Sequence, residues 1–127
     1  MGTLQYDGVL VEFDDRVLAH LQIVIVQKIR RGESFLMSWR DSADTGDGHS
    51  AIWIHPAQNL YFKFSGSRSP SINPEWIEHL TASANSSRGL LVMREGVSAD
   101  MPTDADIAEG NASMRPEPPP RIKVTDS

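Results

Sequence analysis

The chain of 127 residues contains no cysteine. This absence excludes disulfide scaffolds, thiolate zinc sites and cysteine nucleophiles. An apolar run of about 18 residues, the length at which a membrane-spanning helix is expected, is also absent. Residues 1–12 have neither the basic start nor the unbroken apolar stretch of a secretory signal. The sequence therefore predicts a cytoplasmic protein with no membrane partner.

Aromatic residues are missing beyond Trp76, and the composition of the chain changes near Arg94. Residues 1–94 carry 10 acids and 9 bases, whereas residues 95–127 carry 7 acids, 3 bases and five of the eight prolines. The later segment has no periodic apolar pattern, so burial would not offset the entropy lost on ordering it. We predict a compact domain over residues 1–94 and a disordered, acidic, proline-containing tail over residues 95–127, whose removal should leave stability unchanged.

The first half of the domain predicts a hairpin followed by a long helix. Asp7-Gly8 separates two strand-like runs, residues 4–6 and 9–13, and this pair is a strong hairpin signal. Asp14 or Asp15 then caps a helix that Gly32 ends after a basic last turn. The apolar residues of this helix recur at intervals of three and four, as a helix packed on one face requires. They are Val17, Leu18, Leu21, Val24, Ile25 and Ile29.

The second half predicts strands, one helix and a final strand. Three runs rich in aromatic and β-branched residues, at 34–40, 51–55 and 60–65, are typical of strands. Asn73 followed by Pro74 is an N-cap with proline in the first turn, so a second helix is expected over residues 74–84. Residues 90–93 form a last strand. The order ββ-α-βββ-α-β predicts an α+β fold with two layers, in which an antiparallel or mixed sheet of about six strands carries two helices.

Alternation along the middle strands predicts an open face of the sheet that carries aromatic and basic side chains. Such a face suits single-stranded nucleic acid, whose bases stack on aromatic rings while cations meet the phosphates. The candidate nucleic-acid-binding residues are Arg40, Trp53, Tyr61, Lys63 and Arg68. A solvated or dimer-covered face explains the same pattern, and the nearly neutral domain has no basic footprint. Both interpretations stay open at this stage, with the second favoured.

The sequence predicts no catalytic residues, no metal site and no cofactor. Asp41, Asp44 and Asp47 lie in one loop near His49 and His55, but their spacing does not match an EF-hand, and a flexible loop has the same composition. No carboxylate or serine is placed to form a triad with His20. Glycines are isolated in turns, so a phosphate-binding loop of the usual kind is not expected.

Several segments resemble a family of short actinobacterial proteins. The resemblance covers residues 1–94 and is carried by residues 13–22, 30–35, 46–48, 52–56 and 71–77. The family is described as a domain of unknown function, although its members are often named ATP-dependent DNA ligases. The resemblance therefore implies a family without implying a mechanism.

The ligase name is tested by the motif K-x-D-G-x-R, whose lysine carries AMP. Lys63, Gly66 and Arg68 match it, but Ser65 replaces the aspartate, and Glu95-Gly96-Val97 resembles a later ligase motif only 32 residues downstream. The one further lysine after Lys63 is Lys123, in the predicted tail. We therefore predict a small non-catalytic interaction domain that binds a protein partner or itself. A nucleic-acid-binding accessory protein is the alternative, and an ATP-dependent DNA ligase is the least favoured.

Overall fold

The computed structural model describes residues 1–42, 48–98 and 102–114. Seven strands and two helices follow one another in the order β1 (Gly2–Tyr6), β2 (Val9–Phe13), α1 (Asp15–Arg30), β3 (Phe35–Asp41), β4 (His49–Ile54), β5 (Leu60–Lys63), α2 (Pro74–Ala84), β6 (Leu90–Leu91) and β7 (Glu109–Met114). A short 3-10 helix, Asp104–Asp106, precedes β7. The predicted α+β fold with two helices is confirmed.

Local signals explain where the first elements begin and end. Asp7 and Gly8 both adopt positive φ, at 47° and 84°, as a two-residue hairpin turn requires. The Asp14 carboxylate accepts a hydrogen bond from the Arg16 amide at the start of α1. At the start of α2, the Asn73 side chain accepts from the Glu75 and Trp76 amides. Both helices therefore lie where their caps predict.

The sheet is mixed and follows the order β4-β3-β7-β2-β1-β5, with β6 on the same side of β3 as β7. Strand β7 runs antiparallel to β2 and parallel to β3, so it joins the two halves of the sheet. Strand β6 is also parallel to β3. The helices contact each other, α1 contacts β1, and α2 contacts β3 and β6. One continuous apolar core contains residues from both helices and from one face of the sheet.

The sheet extends beyond the predicted domain boundary at residue 94, because β7 lies within the segment for which a disordered tail is predicted. Strand β7 lies in the middle of the sheet, and Ile107 and Ala108 before it are buried. Gly110 of this strand lies against the rings of Phe13 and Trp39, which fill the space beneath it. A Cβ added at Gly110 would come within 2.6 Å of the Phe13 ring and 2.8 Å of the Trp39 ring. Residues 115–127 of the predicted tail lie outside the described residues.

Alternation correctly predicts the two faces of the middle strands. Phe35, Met37 and Trp39 of β3 are buried, while Leu36 between them is exposed. On β4, Ile54 is buried and Trp53 is 58% exposed. The predicted strands β4 and β5 differ from the observed ones at their ends, because β4 begins at His49 and β5 ends at Lys63.

Candidate functional site

A polar network joins the first turn of α1 to the segment before α2 and to Glu95. The Arg16 guanidinium donates two hydrogen bonds to the Glu95 carboxylate, at 3.0 and 2.6 Å, and a third to the Ser71 carbonyl at 2.5 Å. The Asn73 side-chain amide donates to the same carboxylate at 2.7 Å. These donors lower the pKa of Glu95 from its ordinary value of 4.5 to about 2, with the Arg16 bond as the main cause.

His20 extends this network into the core. Its Nδ1 lies 2.7 Å from the Arg16 carbonyl, and its Nε2 accepts a hydrogen bond from the Asn73 amide at 2.9 Å. A carbonyl can only accept, so Nδ1 carries the proton and the ring is neutral. The imidazole is fully buried and stacks on Trp76, with 4.2 Å between ring centroids. His20 therefore links the two helices.

Asp15 holds the loop that follows β5. Its carboxylate accepts hydrogen bonds from the backbone amides of Ser65, at 3.2 Å, and Gly66, at 2.9 Å. Both amides lower the pKa of Asp15, and the hydrogen bond from Gly66 has the larger effect. Together with the Arg16 network, these bonds fasten residues 65–73 to the start of α1. Each of these polar groups has a partner, so the arrangement holds the three segments together.

A groove of about 370 Å³ lies between α1 and the loop that Asp15 holds. Its apolar wall includes Ile23, Phe64 and Ile72, and Arg68 is the charged residue among those that line it. Neither a carboxylate nor a histidine lines this groove. It could receive a small anionic group but contains no pair of groups for general acid and base catalysis.

The lysine and the arginine of the ligase-like motif line different grooves. Lys63 lines a second groove with residues of β1 and β2, whereas Arg68 lines the groove beside α1. Glu95 is held by Arg16 and Asn73.

Four of the five candidate nucleic-acid-binding residues form two pairs near the two ends of the strand order. Arg40 and Trp53 lie on β3 and β4, while Tyr61 and Lys63 lie on β5 at the opposite end of the strand order. Trp53 and Tyr61 are 58% and 57% exposed, so both rings are available for contact. Arg40, however, makes an ion pair of 2.8 Å with Glu109 of β7.

The loop considered for a metal falls partly outside the described residues, which exclude Asp44 and Asp47. In the part that the structure describes, the Asp41 carboxylate accepts from the Ser50 hydroxyl at 2.6 Å, and His49 lies 3.4 Å from Asp104. Among the described residues, no group of three or more histidine and acidic side chains could hold a metal ion.

The outer edge of β4 is a separate feature, and the backbone hydrogen bonds of β3 show which groups of β4 point outward. The Asp41 amide bonds the Gly48 carbonyl, whereas the Arg40 amide bonds the Ala108 carbonyl on the other side of β3. Backbone groups alternate in direction along a strand. Because Asp41 faces Gly48 in the β3–β4 register, the backbone groups of His49, Ala51 and Trp53 point away from β3.

One contact supports this assignment independently. The Tyr6 hydroxyl donates to the Trp53 carbonyl at 2.8 Å and accepts from the His55 amide at 3.0 Å. Tyr6 thus closes the far end of the edge. Strand β4 is terminal in the sheet, so the remaining outward groups, from His49 to the Trp53 amide, have no neighbouring strand within the described part of the chain. We call His49, Ala51 and Trp53 the β4 edge.

These features define an α+β domain with a polar network around α1 and a strand edge, beside an exposed tryptophan, that no other described strand covers. The chain belongs to the family described as "Domain of unknown function (DUF7882)", which matches residues 1–95. The predicted membership of a family of unknown function is thereby confirmed. No curated protein and no solved structure matches the chain. Neither described helix has the length and apolar character needed to cross a membrane.

Proposed function

We propose that the domain is a non-catalytic binding module that takes up a protein strand along the β4 edge. The observation that carries this proposal is that the outward backbone groups of His49 and Ala51 and the Trp53 amide have no neighbouring strand in the described part of the chain and lie next to an indole that is 58% exposed. A strand added to such an edge gains main-chain hydrogen bonds, and side chains beside it supply specificity. Trp53 is a suitable anchor because aromatic residues bury a large area on binding.

Strand β4 also lacks the features that commonly prevent unwanted pairing. Edge strands are usually protected by proline, by lysine or by being very short. The other terminal strand, β5, has four residues and ends in Lys63, whereas β4 has six residues with the sequence HSAIWI. The exposed Leu36 lies opposite Trp53 in the β3–β4 register and extends the apolar surface. The unprotected edge supports a role in binding.

Selection of peptides from a random displayed library against the immobilised domain tests the proposal. The blocking variant is Ala51→Pro, which removes one outward amide and breaks no hydrogen bond to β3. Ala51→Ser keeps the amide and is the matched control. We expect enriched peptides with alternating apolar residues that bind the wild type and Ala51→Ser but not Ala51→Pro. Peptides that bind all three proteins equally, or no enrichment at all, would refute a strand-binding edge.

Nucleic-acid binding is the second candidate, favoured by the exposed rings of Trp53 and Tyr61 with Lys63 beside the latter. It requires that single-stranded DNA quench tryptophan fluorescence and that the effect weaken as salt rises. We expect no quenching by micromolar oligonucleotide at low salt, because Arg40 is neutralised by Glu109 and the cations lie on separate strands. Salt-dependent quenching that Trp53→Ala abolishes would favour nucleic acid over a protein strand.

A further inference from the structure

We infer that residues 121–125 of the same chain occupy the β4 edge in the resting protein, and that an external strand must displace them before it binds. This inference rests on the proposed function of the β4 edge and adds the regulation of that site. Residues 121–125 have the sequence RIKVT and follow the last described residue, Met114, after six intervening residues.

The chain that leaves β7 is long enough to reach the β4 edge. Met114 is the register partner of Val9, and Val9 is the partner of Tyr6 in the first hairpin. The Tyr6 hydroxyl in turn lies 2.8 Å from the Trp53 carbonyl, at one end of the β4 edge. Two strand spacings of about 5 Å, one tyrosine side chain and one hydrogen bond together span on the order of 20 Å. Residues 115–120 include four prolines, and an extended proline-rich segment of this length also covers about 20 Å.

The closed end of the β4 edge matches the start of the RIKVT segment. The Tyr6 hydroxyl already bonds the Trp53 carbonyl and the His55 amide, so an added strand cannot continue past the Trp53 amide. Residues 118–120 are prolines, which have no amide hydrogen and do not extend a ladder. A strand that begins at Arg121 therefore needs no bonds at the position that Tyr6 closes, and its first carbonyl accepts from the Trp53 amide.

The sequence of the segment selects one register. A chain that enters beside the closed end runs antiparallel to β4, and the outward groups of the β4 edge then face backbone groups of every second residue of the segment. The facing pairs are Arg121 with Trp53, Lys123 with Ala51, and Thr125 with His49. A shift of two residues one way would place Pro119 opposite Trp53, and the other way would bring Asp126 to the buried side of the sheet. A shift of one residue would exchange the two faces.

The side chains agree with this register. Ile122 lies opposite Ile52, the half-buried residue of β4 that packs against the core, and Val124 follows on the same inner side. Covering Ile52 removes apolar surface from water. On the open face, the Arg121 guanidinium lies beside the exposed Trp53 indole, which is a favourable cation–π arrangement. Two apolar residues are too few to form a periodic pattern by themselves, but β4 supplies the strand against which they pack.

Hydrogen exchange of the full chain, followed by NMR, measures the occupancy. The amides of His49, Ala51 and Trp53 should exchange at least about tenfold more slowly in the wild type than in Lys123→Pro, which removes the amide that faces Ala51. Lys123→Gln removes the charge, keeps the amide and should behave like the wild type. Equally fast exchange in the wild type and Lys123→Pro overturns the inference. Protection that rises with protein concentration also overturns it, because the occupant would then be a second copy.

Disulfide trapping tests the register, and the absence of native cysteine makes it specific. Ala51 and Lys123 form a hydrogen-bonded pair in the inferred register, about 5.5 Å apart between Cα atoms and within the range for a disulfide. The double variant Ala51→Cys/Lys123→Cys should therefore oxidise to a cross-linked monomer faster than Ala51→Cys/Ser127→Cys. Ser127 lies four residues further along, about 13 Å away in an extended chain. Equal rates overturn the inference.

Peptides selected against the β4 edge separate this inference from the proposed function. They should bind Lys123→Pro more tightly than the wild type or Lys123→Gln, because the edge is then free in a larger fraction of the molecules. Equal binding to these three proteins, with loss of binding to Ala51→Pro, supports the proposed function and overturns the inference. If no peptide binds even Lys123→Pro while the wild-type amides are protected, the occupancy is upheld and the proposed function is refuted.

Discussion

Gly110→Ala tests whether β7 is a packed central strand. The φ angle of Gly110 is not in the left-handed region, so alanine can adopt its backbone conformation. Backbone entropy alone would then make alanine more stable than glycine by about 0.5–1 kcal/mol. The new Cβ, however, would lie 2.6 Å from Cε1 of Phe13 and 2.8 Å from Cδ1 of Trp39. Carbon atoms in favourable contact are about 3.5–4.0 Å apart, so the rings must move.

The direction of the change therefore distinguishes packing from disorder. The two rings already contact each other edge to face, with 5.9 Å between centroids, which limits how far either can move. Overpacking of this kind costs about 1–3 kcal/mol, so a net loss on the order of 1–2 kcal/mol is expected. Urea melts followed by circular dichroism measure it, with Ser113→Ala on the exposed side of β7 as the control, expected to change stability by less than about 0.5 kcal/mol. A Gly110→Ala protein as stable as the wild type, or more so, would refute the packing of β7.

The remaining predictions concern the core, the network and the ligase name. Leu21→Ala should lower the free energy of unfolding, measured by urea melts, by about 2–5 kcal/mol, because Leu21 is fully buried in α1. Arg30 is exposed, so Arg30→Ala should lower it by less than about 1 kcal/mol. A larger loss for Arg30→Ala would show that the apolar face of α1 does not pack. The pKa of Glu95 is depressed from 4.5 to about 2, so its stabilisation is present above about pH 4.5 and is lost toward pH 2. The difference in free energy of unfolding between the wild type and Glu95→Gln should therefore shrink as the pH falls from about 4.5 to 2. Glu78→Gln, which removes the same charge at an exposed position, should not show this trend. A difference that stays constant would contradict the ion pair. A chain ended after residue 95 loses β7 and should melt several degrees lower; an unchanged melting temperature would contradict the role of β7. Incubation with radiolabelled ATP and magnesium should leave the protein unlabelled, whereas a stoichiometric adduct lost in Lys63→Ala would establish nucleotide transfer.

Sequence patterns predicted the elements that are determined by local chemistry. Asn73 and Pro74 fix the start of α2, and Asp7-Gly8 fixes the first hairpin, because caps and turns depend on a few adjacent residues. The faces of β3 and β4 follow from alternation in the same way. These features require no knowledge of what packs against them.

Features that depend on distant residues could not be predicted in this way. The bond between Arg16 and Glu95 joins residues 79 apart in sequence. In the sequence, Glu95 is distinguished only by its resemblance to a ligase motif, and no pattern marks Arg16 as its partner. The buried His20 carries no pattern that distinguishes it from an exposed helical histidine. Its position would have followed only from knowing that Asn73 lies next to it.

The sequence pattern does not predict β7, because this strand is buried although it contains few apolar side chains. Its hydrogen bonds to β2 and β3 are made by the backbone, and Gly110 is selected by the rings beneath it rather than by any periodicity. A search for alternating apolar residues finds nothing in such a strand. A buried residue just before it, Ile107, was the available signal, but one apolar residue among acids is also common in disordered segments.

The position of β7 determines which strand edges are free, and this links the fold to the proposed binding site. The family match ends at residue 95, whereas β7 lies at Glu109–Met114, between β2 and β3. Without β7, the edge of β2 and part of the edge of β3 would lack partners and would compete with β4 for any added strand. With β7 in place, the terminal strands are β4 and β5, and β5 is short and ends in lysine. In the proposed function, a segment outside the matched region therefore directs strand addition to the β4 edge. A change that loosens β7, such as Gly110→Ala, should then make strand binding less specific as well as lower stability.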